Sequence, residues 1–376
     1  MRLLINFAPL KKGGGQNVGL NFINGLNIQK YPDIEFFFAV AEGSIIEAKL
    51  RDQGYKNILS LPVSATKRML KEITEENRYI KLYCIDAVYS YFGYALITKN
   101  ICQICGVADS NLLYPEIDFW EGYHGLGRLK KWVIDQYRKY GYRRANGLVF
   151  ENEAMEARAK EIFGDKCNSI FIKPSFSITK NIEYRSVDID TSETLKGLFL
   201  CGWQRNKGIL KIPEMIKAFQ ESGTDVDFYI STSIDESDPV CKEFLRTVNG
   251  YLDHVHFLGT VDKTQIEDLY SKIDLVFLLS KLESFSNNII EAWYYRKPLI
   301  IADEEWSRSI CKDAALYVDR NDAKSIVSKI VSARLEGKLE EVVNNGTREF
   351  FTYPSIENKV DQEINYVKKV FGMVKI

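Results

Sequence analysis

No apolar run in this chain approaches the roughly 20 residues that a membrane-spanning helix needs. The longest, such as Leu275 to Leu279 and Leu198 to Cys201, are strand-sized, so the chain is not expected to cross a membrane. Charge of one sign is not in excess either: Lys+Arg number 50 and Asp+Glu 51, for a formal net charge of -1, which excludes the global field of a nucleic-acid binder. The seven cysteines are odd in number and scattered, so they form no disulfide framework. Cys102 and Cys105 make one C-x-x-C, but no second pair at zinc spacing accompanies it. The opening Met1 to Phe7 reads directly as a strand, without the apolar run and small-residue cleavage site of a secretory signal, so no leader is expected and the expected location is the cytoplasm. Internal repeats and low-complexity segments are also missing.

What remains is an ordinary globular composition, 45% hydrophobic and 27% charged, over 376 residues. That length exceeds one core of typical size and predicts two domains. Strand-like runs alternate with helical patterns almost throughout, which predicts parallel sheets covered by helices on both faces. In the first half they lie near Leu3 to Phe7, Glu35 to Val40, Ile58 to Val63, Ala87 to Tyr91, Ile101 to Val107, Gly147 to Phe150 and Ser169 to Ile172. In the second half they lie near Gly197 to Cys201, Val226 to Ser231, Val255 to Leu258, Leu275 to Leu279, Leu299 to Ile301 and Ala315 to Val318. The polar stretch Lys173 to Leu195 separates the two series and is the hinge candidate. The expected domains are residues 1–175 and 176–349. Ligands of open parallel sheets bind beyond the carboxyl ends of strands, so chemistry is sought in those loops.

Residues 283 to 291 read E-S-F-S-N-N-I-I-E and follow the apolar run ending at Ser280. The pattern predicts a strand-to-helix turn with Glu283 in the loop, Ser284, Ser286, Asn287 and Asn288 opening the helix, and Glu291 about one turn inside. Helix amino termini attract phosphate through unpaired N–H groups and the macrodipole. The stretch resembles the E-x7-E signature of retaining GT-B glycosyltransferases of the GT4-like group, with serines at the two usual glycine positions. The resemblance implies an α/β fold of two Rossmann-like doubly wound domains facing across a cleft, with a final helix, 350–376, crossing back to the first domain.

The same resemblance extends over most of residues 197 to 335. G-W-Q-R-N-K-G, residues 202 to 208, is similar to the family's phosphate loop but one residue shorter. Gly202 opens it, Lys207 and Gly208 match the family's lysine and glycine, and Trp203 stands at the arginine position, so Arg205 replaces that arginine only if the loop is remodelled, which makes Lys207 the stronger candidate. V-H-F-L-G-T at 255 to 260 matches the family strand whose loop borders the nucleotide base, which makes Gly259, Thr260 and Val261 base neighbours. The resemblance further implies that Glu291 binds the donor ribose, Glu283 touches the transferred sugar, and Phe285 to Asn288 present backbone groups.

In the first half, K-K-G-G-G-Q-N-V-G at 11 to 19 follows the first strand. It lacks the G-x-G-x-x-G dinucleotide fingerprint, and Gly13, Gly14, Gly15 and Gln16 resemble the glycine-rich loop that meets donor sugar and acceptor in GT-B enzymes. Residues 108 to 125 mix acids, aromatics and His124 in a loop. In related enzymes a histidine from this region contacts the donor sugar; Asp109, Ser110 and Asn111 are rival candidates. Leu126 to Arg144 interleaves seven Arg and Lys with Leu129, Trp132, Val133, Tyr137 and Tyr140. It reads either as a basic amphipathic helix resting on anionic lipid or as a surface helix with its stripe in the core. His254 and His256 share strand spacing without a third ligand, and D-I-D at 188 to 190 mimics a metal motif inside the linker; no metal and no cofactor is expected.

The expected function is retaining transfer of a sugar from a nucleoside diphosphate to a hydroxyl acceptor, a glycolipid or growing polysaccharide of a bacterial envelope pathway. Lys207, with Arg205, would neutralise the departing diphosphate. Alternatives are a nucleotide-sugar epimerase of the same fold and a catalytically silent relative serving as a binding partner. Peripheral contact with the inner face of the membrane would run through 126–144.

Overall fold

A computed structural model describes residues 1–11, 14–64, 67, 71–98, 101–164, 168–177 and 194–374. The chain divides into two units. One comprises Met1–Glu116, Gly122–Ile178 and Tyr353–Ile376; the other comprises Ile117–Glu121 and Thr179–Thr352. D-I-D at 188 to 190, Gly13 and most of the hinge candidate lie outside the described residues.

The first unit is built on seven strands: β1 (Arg2–Asn6), β2 (Glu35–Ala41), β3 (Ile58–Leu61), β4 (Ala87–Ser90), β5 (Cys102–Val107), β6 (Gly147–Phe150) and β7 (Ser169–Phe171). They pair in the order β3-β2-β1-β4-β5-β6-β7, every pair parallel. The second unit has six: β8 (Leu195–Phe199), β9 (Val226–Ile230), β10 (Val255–Phe257), β11 (Leu275–Leu278), β12 (Leu299–Ala302) and β13 (Leu316–Val318). Their order is β10-β9-β8-β11-β12-β13, again all parallel. All thirteen expected strands are present, with ends shifted by one or two residues. Sequences such as Glu-Phe-Phe-Phe-Ala-Val-Ala in β2 are buried beyond the first residue, as a parallel strand covered on both faces requires.

Each sheet has its own apolar core. In the second unit Phe199, Phe228 and Phe277 of three neighbouring strands meet in the interior, the first and last stacked 5.2 Å apart. In the first unit Phe7, Phe22, Tyr89 and Tyr91 form an edge-to-face cluster. The helix Ile356–Val374 adds Val360, Ile364, Val367 and Val370 to that core. It lies close enough to the helix Gly14–Gly25 that a Cβ on Gly25 would sit 2.6 Å from Ile356. Its buried Lys359 pairs with Glu151 at 2.7 Å and Glu363 at 3.3 Å and donates to the Tyr91 hydroxyl at 3.0 Å. Burial would depress this amine, but the two carboxylates outweigh it and hold its pKa above the ordinary lysine value.

Candidate active site of the second unit

In the second sheet the chain runs outward from β8 through β9 to β10, then returns to place β11 on the other side of β8. The order therefore reverses between β8 and β11, which pair through Leu275↔Gly197 and Val276↔Leu198. Loops leaving the carboxyl ends of such a strand pair diverge and leave a crevice. The β8 loop carries Lys207 and the β11 loop carries Glu283, 76 residues apart in the chain. Their side chains form a direct ion pair, both mostly buried. Cys201 lies beside them; burial pushes its thiol up to about 12, with Lys207 opposing and Glu283 adding to the rise.

Several contacts hold the two loops together. Gly208 adopts a left-handed φ of +76°, and a Cβ there would lie 2.6 Å from the Leu279 Cβ and 2.7 Å from its carbonyl oxygen. The close approach that Gly208 permits is thus between the loops themselves. The Lys281 N–H donates to the Asn206 carbonyl at 2.8 Å. Buried Arg320, in the loop after β13, donates from Nε to the Leu279 carbonyl at 2.9 Å and from Nη2 to the Asn206 carbonyl at 3.4 Å. Its desolvation lowers the guanidinium pKa, with Glu304 and Asp319 countering. Trp306, fully buried, donates its Nε1–H to the Lys281 carbonyl at 3.2 Å. Neither Arg320 nor Trp306 stands out in the sequence; the one available signal is that Arg320 is a charge two residues past a strand end.

The helix Asn287–Tyr294 begins with Ser286 in the capping position, although no side-chain cap bond is made. Ser284 and Phe285 precede it in the loop, and Asn287 and Asn288 occupy its first turn. Asn288 Nδ2 donates to the Leu200 carbonyl at 3.0 Å, fastening this helix to the β8 loop. Glu291, one turn inside, accepts from the Tyr270 hydroxyl at 3.2 Å. Burial, then the neighbouring Glu291, hold that phenol well above its ordinary pKa.

Arg205 goes elsewhere. Its guanidinium engages both carboxylate oxygens of Glu243 on the helix Pro239–Val248, and this holds Glu243 below the usual carboxylate range. Trp203 packs against Phe244 and Phe257 and donates its Nε1–H to the Ser233 carbonyl at 2.8 Å. Trp203 is therefore a strut between the β8 and β9 loops. Gly259, at φ +70°, follows β10 and donates to the Thr232 carbonyl at 3.3 Å; Thr260 beside it is exposed, as is Gly202.

The remaining candidates belong to the first unit. His124 is exposed and precedes the helix Gly125–Arg144. Gly14, Gly15 and Gln16 open the helix Gly14–Gly25, with open space around Gly14 and Leu10 against Gly15. His254 and His256 of the second unit share Asp227, at 3.1 and 3.4 Å. Among the described residues no group of three or more His, Cys, Asp or Glu could hold a metal ion.

Residues 203–350 match the family model described as Glycosyl transferases group 1. Among solved structures, sucrose-phosphate synthase from Thermosynechococcus elongatus matches at 13% identity and a TM-score of 0.73, covering 99% of this chain and 100% of that one. HepE from Anabaena, in complex with UDP and glucose, matches at 15% identity and TM-score 0.67, covering 98% and 99%. A putative UDP-N-acetylglucosamine 2-epimerase from Listeria monocytogenes matches at 11% identity and TM-score 0.61, covering 98% and 96%. No curated protein matches the chain.

Proposed function

We propose that this chain, a GT-B fold whose second unit carries a glycosyl transferases group 1 domain, transfers a sugar from a nucleoside diphosphate to a hydroxyl acceptor with retention at the anomeric carbon. The observation that carries the reading is the Lys207–Glu283 pair at the reversal between β8 and β11. A cation and a carboxylate held there match the two ends of a donor. Lys207 turns to the diphosphate and Glu283 to sugar hydroxyls, so ligand replaces the contact each makes with the other.

In the reaction the bond from the anomeric carbon to the phosphate oxygen breaks and the acceptor oxygen bonds to that carbon. The acceptor proton passes to the departing phosphate on the same face. Charge builds on the leaving oxygen, and stabilising it is the main electrostatic task. Lys207 meets that charge, aided by the positive amino-terminal end of the helix Asn287–Tyr294. Glu291, steadied by Tyr270, takes the ribose hydroxyls, and the Gly259–Thr260 turn borders the base. Arg205 is tied to Glu243 and gives a smaller share. No divalent metal enters this scheme, and the acceptor class proposed is a glycolipid or growing polysaccharide.

A thermal-shift panel of nucleoside diphosphates and their sugars tests the site. A ligand at a hundred times its Kd adds about 2.7 kcal/mol, and the shift should vanish in Lys207→Ala. Stabilisation by none of the panel would overturn the reading. The epimerase alternative is supported by a shared fold alone; a donor converted to its epimer without acceptor would establish it.

A further inference from the structure

The helix Gly125–Arg144 is amphipathic in an inverted sense. Its inward side is held by polar contacts: the Tyr142 hydroxyl donates to Asp109 at 2.8 Å, Arg138 pairs with Asp109 at 3.0 Å, and Asn111 donates to Asp135 at 3.0 Å. Gly141 lets the helix sit against Tyr94, where a Cβ would approach to 2.6 Å, and Tyr137 meets the Tyr94 ring at 5.1 Å. These contacts set its rotation. The opposite side carries Leu126, Leu129, Trp132, Val133 and Tyr140 at helical spacing, each more than half exposed and Leu126 85% exposed. The apolar stripe is therefore not in the core.

Leu126, Leu129, Trp132 and Val133 cluster over two turns, with exposed Gln136 and Arg143 between them and Tyr140 on the same side. An exposed apolar cluster of this kind marks an interaction surface, and its charge identifies the occupant. The helix has seven basic residues against the single acid Asp135, in a chain whose net charge is -1. Helical spacing sets Lys130 on one margin of the strip and Arg128 and Lys139 on the other, and Lys131 lies over the ring of exposed Tyr123 at 4.7 Å. Apolar side chains flanked on both margins by cations fit an interface with acyl chains below and anionic headgroups around. We infer that this face of the first unit docks the protein on an anionic lipid surface, with Leu126, Leu129, Trp132 and Val133 entering the headgroup boundary and Lys130 and Lys139 meeting lipid phosphates.

Co-sedimentation of the full chain with phosphatidylglycerol and with phosphatidylcholine vesicles, at low and high salt, tests this. The protein should pellet with the first, release as salt rises, and stay in solution with the second. Trp132 fluorescence should shift to the blue on binding, a shift that Trp132→Phe removes. Each basic residue near such a surface is worth about fivefold in partitioning, so Lys130→Glu with Lys139→Glu should lower binding by more than about twentyfold. Leu129→Ser with Val133→Ser should abolish it while circular dichroism and the nucleoside diphosphate thermal shift stay unchanged. No pelleting with anionic vesicles at low salt overturns the inference, as does binding indifferent to both double variants. Self-association that Leu129→Ser with Val133→Ser abolishes, without vesicle binding, would assign the face to a second copy instead.

Discussion

Lys207 and Glu283 neutralise one another in a mostly buried place, so removing either leaves the other without this partner and, on the proposed function, weakens contact with a donor. With a donor identified by thermal shift, Lys207→Ala and Glu283→Ala should each cut turnover about a hundredfold, on the order of losing one oxyanion donor. Arg205→Ala should cost less than about tenfold, because Glu243 already engages that guanidinium. Steady-state rates decide between these. The two glycines of the β8 loop should also separate. Gly208→Ala forces a Cβ into Leu279 at a left-handed φ and should lower stability by about 1 to 3 kcal/mol. Gly202→Ala, which meets open space, should stay within about 0.5 kcal/mol. Thermal unfolding of both variants is the check.

The helix Ile356–Val374 is fastened by two polar clusters of different character. Lys359, Glu151 and Glu363 are buried together, and burial raises the Glu363 carboxyl above its usual range even though Lys359 opposes the rise. Lys359→Met would leave two carboxylates without their cation, with an expected loss of about 3 to 5 kcal/mol in chemical denaturation. Asp361 is more exposed and accepts from Lys30 at 2.8 Å and from the Tyr31 hydroxyl at 2.5 Å. Its burial tends to raise the pKa, but those two partners hold it below the ordinary 3.8. A carboxyl whose folded pKa is depressed stabilises fully above the unfolded value and loses that contribution as pH falls through the folded one. Asp361→Asn should therefore cost up to about 1 kcal/mol at pH 7, a difference that closes as pH drops below about 3.8. Denaturation midpoints of the two proteins across pH 2 to 7 would show it.

The two units keep separate cores, but the first is not continuous in the chain, since Tyr353–Ile376 belongs to it. Val360, Ile364, Val367 and Val370 are fully buried there beside Phe22 and Ile104. Ending the chain at Thr352 removes these side chains, each worth about 1.5 to 3 kcal/mol of burial. Against a typical stability of about 5 to 15 kcal/mol, the first unit should unfold. The second keeps its own core and should keep its stabilisation by a nucleoside diphosphate. Near-UV circular dichroism and the thermal shift of the shortened chain, compared with the full one, test both halves of that expectation.

The alternation of short apolar runs with helical stretches determined both sheets, because strands buried on two faces must be apolar throughout and are bounded by polar turns. The family resemblance singled out Lys207, Glu283 and Glu291 as well, since the turns that bear them are local. Which cation stands at the crevice was a tertiary matter: Arg205 and Lys207 are two residues apart in one loop, and only packing gives Glu243 to one and Glu283 to the other. Arg320 reaches the β8 and β11 loops from beyond β13, a contact that no spacing in the chain encodes. The helix Gly125–Arg144 carries the same lesson. Its periodicity established two faces, but the outward one was chosen by Asp109 and Asn111, which bind the polar side inward at a distance in sequence that amphipathicity does not register.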